Sequence, residues 1–348
     1  MTERILILNV SGIGDFIDST PALRFARKMR PAARISLLVS EKAYPLARTC
    51  PYMDEVISVP TSSGRSIPRL PDLPRWLKQI RQLRGQFDTA INLYGVASRG
   101  GAGWIRFLLV WSGASLTIGS NIGGLAPFYD RRLEGDAVPP DQVEQAVRIL
   151  SLLDGSVLPE KQGQPELWID TNTLEVSRNW VRSLPGSPIA VFLGGERRTR
   201  HEEPVRAEAW LAEIQQHWKV HPIVIGTTSD PGLPPNTHVE HTDLRGKSSL
   251  EKTAAIIASC SALITTHSSP QHFATIWNVP TVVLVGPGDA ARYRPHLDAE
   301  RLRMLRNPVV CSPCYYQDCP LPGLEKQKCM SGIPISAIVQ AYSEVSQR

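Results

Sequence analysis

The sequence predicts an α/β protein made of two doubly wound parallel sheets. Three observations lead there. Short apolar runs alternate with amphipathic stretches through the first 150 residues, a Gly- and Pro-rich stretch at 154–188 interrupts them, and the alternation then restarts. Strand–helix alternation of this kind builds parallel sheets covered on both faces. A length of 348 residues suits two domains better than one core. The domains are drawn at 1–170 and 171–332, with a last helix near 333–348 packing back on the first. Two such domains facing a central cleft would offer the carboxyl ends of both sheets to ligands.

In the first domain, residues 4–10 (RILILNV) form a buried strand. A Gly-rich turn, Ser11-Gly12-Ile13-Gly14, ends in the carboxylate of Asp15, and Ser19, Thr20 and Pro21 then open a helix over 19–30. The hydroxyls are caps, and a proline in the first turn lacks an N–H that would have no partner anyway. Further strands are expected at 34–39, 55–59, 88–93 and 115–119, and helices at 41–50, 72–84, 99–111 and 141–153. Residues 60–74, with four prolines, read as a loop, and 119–140 as irregular. In the second domain strands are expected at 188–193, 221–226, 261–265 and 280–285, and helices at 206–217, 249–259 and 270–277.

Hydrophobic content of 42% and charged content of 20% are those of a water-soluble globular chain. No apolar run reaches the roughly 20 residues that span a bilayer, and no cleavage-site pattern precedes the first strand. A cytoplasmic location is therefore expected, with peripheral contact to the inner membrane as an addition. Residues 1–106 carry 16 Lys/Arg against 8 Asp/Glu, the remainder 22 against 25. This basic first part, which includes Arg65, Arg69, Arg75, Lys78, Arg81 and Arg84, reads as solvated helix faces or as a surface for an anionic partner. No RNP, KH or helix-turn-helix pattern occurs, so no nucleic-acid partner is expected. Trp104 and Trp111 flank an apolar run that reads as a buried helix between sheet and solvent, or as a seat on a membrane.

The opening turn has two glycines of a dinucleotide fingerprint, Gly12 and Gly14, but Ile17 holds the third position. Asp15 would also repel a pyrophosphate. An acid at a strand's carboxyl end is better placed to take a proton from a hydroxyl; the plainer reading is that Asp15 caps the helix. A second constellation runs from Thr242 to Leu250 (TDLRGKSSL) and on to Thr265–His272 (TTHSSPQH). A strand end, two hydroxyls and a proline at a helix start suit a diphosphate. His272 can donate to a phosphate oxygen, or is a packed core histidine. Cys311, Cys314, Cys319 and Cys329 put four of six cysteines into one Pro-rich loop, 311–329. Four thiolates suit structural zinc or iron, with free thiols as the alternative; Cys50 and Cys260 read as core.

With these pieces in hand, the chain resembles glycosyltransferase family 9, the heptosyltransferase family of lipopolysaccharide core assembly. The resemblance rests on SGIGDFIDSTPALR, on the run from PAARISLLVS to PYMDEVISV, on TDLRGKSSLEKTAAIIASCSALITTHSSPQHFATIWNVPTVVLVGP, and on CSPCYYQDCP with its following CM. It implies the GT-B fold, an acceptor bound mostly by the first domain, a nucleotide-diphospho-sugar bound mostly by the second, and inversion without a catalytic metal or other cofactor. By position it implies Asp15 as the catalytic base, with Gly12 and Gly14 on the acceptor side. It implies Ser268, Ser269 and His272 at the donor diphosphate, Lys247 and Ser248 along the nucleotide, and Asp230 near the ribose. Similar cysteines occur in family members, some of which are thought to hold iron there.

Two departures from the family pattern stand out. The helix-start motif of the family begins with an Asp that is thought to touch the donor sugar; here it is His267. Where the family carries a Lys facing the phosphates, this chain has Gly194-Gly195-Glu196-Arg197-Arg198-Thr199-Arg200-His201, in which Arg198 or Arg200 is the candidate cation. ADP-heptose and a lipopolysaccharide-core or related glycan or glycolipid acceptor are implied by the resemblance. The alternatives are another donor sugar, a protein acceptor, or a catalytically lapsed protein that binds nucleotide or glycan.

Overall fold

The structure, a computed structural model, describes residues 2–60, 73–96, 98–135, 141–155 and 163–347. Most of the loop read at 60–74, with Arg65 and Arg69, lies outside them. The chain forms two compact units, Met1–Trp168 and Ile169–Arg348.

The first unit contains β1 (Arg4–Asn9), α1 (Ile13–Met29), β2 (Arg34–Ser40), α2 (Tyr44–Ala47), β3 (Glu55–Val59), α3 (Leu73–Arg81), β4 (Thr89–Asn92), α4 (Arg99–Ser112), β5 (Leu116–Asn121), β6 (Arg131–Glu134) and α5 (Gln142–Ser151). Its sheet has the order β3-β2-β1-β4-β5-β6, and every pair is parallel. Leu6, Leu8, Leu38, Ile57 and Ala90 share a core with Ile105 and Leu108 of α4. The segment after α5 is tied to this unit: Glu166 pairs with Arg24, accepts from the Tyr52 hydroxyl, and donates its N–H to Thr20 Oγ1.

One expected boundary is corrected. α1 starts at Ile13, not at residue 19, so Ser19, Thr20 and Pro21 lie inside it. A proline there leaves the carbonyl four residues back without its helical donor. Thr20 Oγ1 donates to that carbonyl, Ile17 O, at 2.7 Å; Ser19 Oγ donates to Phe16 O at 2.7 Å. The Thr20 hydroxyl repairs the helix instead of opening it.

The second unit contains α6 (Thr171–Arg182), β7 (Ser187–Phe192), α7 (Pro204–His217), β8 (Val220–Val224), β9 (Thr242–Asp243), α8 (Leu250–Ser259), β10 (Ala262–Thr266), α9 (Pro270–Ile276), β11 (Thr281–Val285), β12 (Leu302–Arg306), α10 (Lys328–Ser331) and α11 (Ile335–Ser346). Its sheet, order β12-β11-β10-β7-β8-β9, is again parallel throughout. α6 falls inside the Gly- and Pro-rich stretch at 154–188; Asp170 caps it, accepting from Thr173 N–H at 2.8 Å. The last helix is corrected too. Ile338, Ala341, Tyr342 and Val345 of α11 bury themselves with Ile189, Ile264 and Val282, in the core of the second unit.

Candidate active site

In a doubly wound sheet, ligands gather beyond the carboxyl ends of the strands where the order reverses. In the first unit that point lies between β1 and β4, which pair Leu8 with Asn92. Asn9 ends β1. It is buried, and its side-chain amide donates to Ser19 Oγ (2.8 Å) and to the Asp15 carbonyl (3.1 Å), while Ser11 Oγ donates to Asn9 Oδ1. Ser40 Oγ donates to the Ser11 carbonyl at 2.7 Å. The turn is thus fixed from beneath by one amide and from the side by β2.

Gly12 caps α1, and Asp15 Oδ2 accepts its N–H at 3.1 Å. A Cβ on Gly12 would come within 3.3 Å of that oxygen. Gly14 lies in the first turn of α1. The half-buried Asp15 therefore does cap the helix, and the same contact holds its carboxylate at the switch point. On the β4 side, Asn92 donates to the Tyr94 carbonyl (2.9 Å) and to the Tyr129 hydroxyl (2.8 Å). Burial, with the fields of Tyr129 and Asp15, pushes the Tyr94 phenol up, so it stays a neutral donor. Asn9 and Tyr94 were not anticipated; an Asn closing an apolar strand just before a Gly turn is the signal that would have pointed to the first.

The second unit reverses between β7 and β10, where Thr266 Oγ1 donates to Gly194 O at 2.6 Å. No side chain fits at Gly194: a Cβ there would lie 2.0 Å from Asp230 Oδ1. Asp230 accepts from Gly195 N–H (3.2 Å) and from the Thr227 N–H and hydroxyl (2.7 Å each). The carboxylate read as a ribose ligand is engaged in joining the loops after β7 and β8.

The three arginines after Gly195 part ways. Arg197 lies over the Tyr315 ring at 5.1 Å. Arg198 forks onto Asp318 at 2.5 and 2.6 Å. Arg200 donates to the His267 carbonyl at 3.1 Å, and its Cβ would stand 3.3 Å from a Cβ on Gly195. Of the two candidate cations, Arg200 is the one at the switch point, and Ser268 Oγ borders the same glycine at 3.8 Å. Lys247 donates to the Asp243 carbonyl (2.9 Å) and Ser248 pairs with Thr253 (2.8 Å). Their loop joins the one after β8 where Gly246 N–H meets Gly226 O at 2.8 Å.

His267 is 3% exposed. Its Nε2 faces the Tyr293 carbonyl at 3.2 Å and so carries the proton; Nδ1 is buried without a hydrogen-bond partner among the described residues. A Cβ on Gly288 would lie 2.1 Å from Nδ1, which restricts that position to glycine. Gln271 donates to the same Tyr293 carbonyl at 2.7 Å, and its Nε2 is 3.4 Å from His272 Nε2. Burial lowers the His267 pKa to about 4, with Arg200 and His272 adding to the shift and the Tyr293 bond and Asp289 opposing it. The imidazole is neutral near pH 7. Ser269 stands at the start of α9, with no side-chain cap bond.

Comparison with known proteins settles the family. Residues 76–325 match glycosyltransferase family 9 (heptosyltransferase). The chain belongs to that family. It is 23% identical over 340 residues to lipopolysaccharide heptosyltransferase 1 of Pseudomonas aeruginosa, covering 93% of this chain and 90% of the relative. A match to lipooligosaccharide heptosyltransferase 2 of Campylobacter jejuni, 24% identical over 109 residues, spans 31% of this chain and only 33% of that protein. Among solved structures, Escherichia coli ADP-heptose lps heptosyltransferase II superposes with a TM-score of 0.71 at 18% identity, covering 99% of this chain and 98% of its own. The fold of this family-9 chain is GT-B. The dodecameric E. coli heptosyltransferase TibC, described as iron-containing, matches with a TM-score of 0.59 at 11% identity, covering 99% of this chain and 76% of its own.

The cysteine loop of this family-9 chain does not form the expected metal set. Cys311 is exposed, Cys314 and Cys319 are half-buried, and Cys329 is buried. Burial, with the fields of Cys314, Cys311 and Cys319, raises the Cys329 thiol to about 11. Among the described residues no group of three or more His, Cys, Asp or Glu is placed to hold an ion. The loop is clasped to the arginine segment instead. Beside the Arg198–Asp318 fork, Thr199 N–H donates to Gln317 O (3.2 Å), Thr199 Oγ1 to Tyr316 O (2.9 Å), and Gln327 Nε2 to Arg198 O (2.8 Å).

Proposed function

We propose that this family-9 glycosyltransferase moves a heptose from ADP-heptose to a hydroxyl of the lipopolysaccharide core or a related glycan, with inversion and without a catalytic metal. Asp15, held beyond β1 at the switch point of the first sheet, is the observation that carries the reading. Its carboxylate takes the acceptor proton as that oxygen bonds to the anomeric carbon, and the bond to the diphosphate breaks with its electrons leaving on ADP. Arg200, Lys247, His272 and the hydroxyls of Ser268 and Ser269 stabilise the departing charge. Arg198, committed to Asp318, holds the loop in shape and does not meet the phosphates.

The test is transfer itself. Purified chain with ADP-heptose and a heptose-free core acceptor should give a product heavier by one heptose in mass spectrometry. Asp15→Asn keeps an acceptor for the Gly12 N–H but cannot take a proton, so turnover should drop about 10²–10⁴-fold with ADP affinity unchanged. Full activity in Asp15→Asn would overturn the base assignment.

His267 favours a second reading, a donor with another sugar or a protein acceptor. A neutral ring stands where the family resemblance calls for a carboxylate, reversing the hydrogen-bond sense at that point. Nucleotide sugars compared by thermal shift separate the two, since a ligand at 100 times its Kd adds about 2.7 kcal/mol. A preference for UDP- or GDP-sugars over ADP-heptose would replace the first reading. Indifference to all of them would leave only a lapsed binding protein.

A further inference from the structure

α4 carries large apolar side chains on its outer side as well as its inner one, with Arg99 and Arg106 as its only charges, which is unusual for a helix on the outside of a sheet. Ala102, Ile105, Leu108 and Leu109 face the core. Phe107 and Val110 face outward, and Trp104 and Trp111 flank them, half-buried against the same core. Phe107 is 38% exposed and Val110 75%, and Leu77 of α3 adds another exposed side chain at 41%. The aromatic rings form one connected ladder: Trp76 to Trp104 at 5.4 Å, Trp104 to Phe107 at 5.7 Å, and Phe107 to Trp111 at 5.7 Å. The Trp111 indole donates to Ile80 O at 2.8 Å and so binds the two helices together.

Charge on this face has a single sign. Between residues 73 and 115 there are six Lys/Arg and one acid, Asp88, and that acid is taken up by the Arg4 N–H at 2.8 Å. Lys78, Arg81, Arg84, Arg99 and Arg106 are exposed, and among the described residues no carboxylate pairs with any of them. Arg84 lies over the Trp111 ring at 5.4 Å. Tryptophan and phenylalanine beside lysine and arginine are the chemistry of the headgroup boundary, where rings enter the acyl edge and cations meet phosphate. A partner helix would cover the rings but would have to be acidic to meet the cations; an anionic bilayer supplies both at once. No helix among the described residues is long and apolar enough to cross a membrane.

We propose that the outer face of α3 and α4 docks the first unit on an anionic phospholipid bilayer, lying on the membrane with the rings of Phe107, Trp104 and Trp111 at the acyl boundary. The test is co-sedimentation of the full chain with vesicles of phosphatidylcholine containing 30 mol% phosphatidylglycerol. Binding should weaken with salt and fall at least about tenfold on pure phosphatidylcholine. Val110→Asp removes no core contact and should cut binding about tenfold with thermal stability unchanged. The triple variant Lys78→Gln, Arg81→Gln, Arg106→Gln should weaken it further, about fivefold for each cation removed. Brominated acyl chains should quench tryptophan emission in the unaltered chain and not in Val110→Asp. No binding to anionic vesicles above the lipid-free control overturns the proposal, as does binding that both variants retain. If light scattering finds a dimer that Val110→Asp splits, with no vesicle binding, the face belongs to a second copy and the proposal falls.

Discussion

At the residue scale, His267 couples the fold to pH. Its imidazole is protonated in the unfolded chain below about 6.5 but resists protonation down to about 4 when folded, because burial and Arg200 disfavour the cation. The unfolded state therefore binds the extra proton between these values, and stability falls as pH drops through that window. The contribution is present in full above pH 6.5 and amounts to about 3 kcal/mol, lost by pH 4. Urea midpoints between pH 7 and 4 should fall less steeply in His267→Asn than in the unaltered chain; equal slopes would place the titration elsewhere. The cap that Asp15 makes on α1 was legible in the sequence, because an acid after a strand and two glycines suits a helix start; the role of base came from the family resemblance. The Asn9 amide makes only local contacts, with Asp15 and Ser19, whereas the Tyr94 hydroxyl was not legible, since its place near Asp15 depends on β1 lying next to β4. The choice between Arg198 and Arg200 was closed to the sequence for the same reason: Asp318, 120 residues away, decides it.

At the element scale, the central strands and the edge strand β3 were legible, and the other three edges were not. β6, β9 and β12 went unread, and each borders its sheet. Edge strands need little apolar patterning, and charge on them discourages pairing with other chains; β6 reads Arg-Arg-Leu-Glu and β9 has two residues. Among the helices α6 was missed because its outer face is polar and only Ser177 and Val181 are buried. The clasp between the arginine segment and the cysteine loop belongs to this scale. Thr199 is buried, and its hydroxyl is the donor for Tyr316 O. Thr199→Val leaves that carbonyl without it, at a cost of about 1–3 kcal/mol. Limited proteolysis should then cut within 311–329 faster than in the unaltered chain. An unchanged cleavage rate would mean that the Arg198–Asp318 fork and the backbone contacts of the clasp hold the loop without that hydroxyl.

At the scale of the whole molecule, the division into two repeating halves was visible in the sequence as two runs of alternation around a Gly- and Pro-rich break. The destination of α11 was not, because an amphipathic terminal helix fits any apolar surface it meets. Its fully buried Ile338 packs with β-strand residues of the second core, so Ile338→Ala should cost about 2–5 kcal/mol. Hydrogen exchange should quicken in β10 and β11; full protection there would refute the placement. The clasp also carries a meaning in time. A ribosome delivers Arg198 well before Asp318, and long-range contacts close last. Through that interval the nascent second half has its central strand and its arginines, but not the segment that sorts one arginine from another. A chain interrupted before residue 311 would lack both the carboxylate that holds Arg198 and the terminal helix that completes the second core.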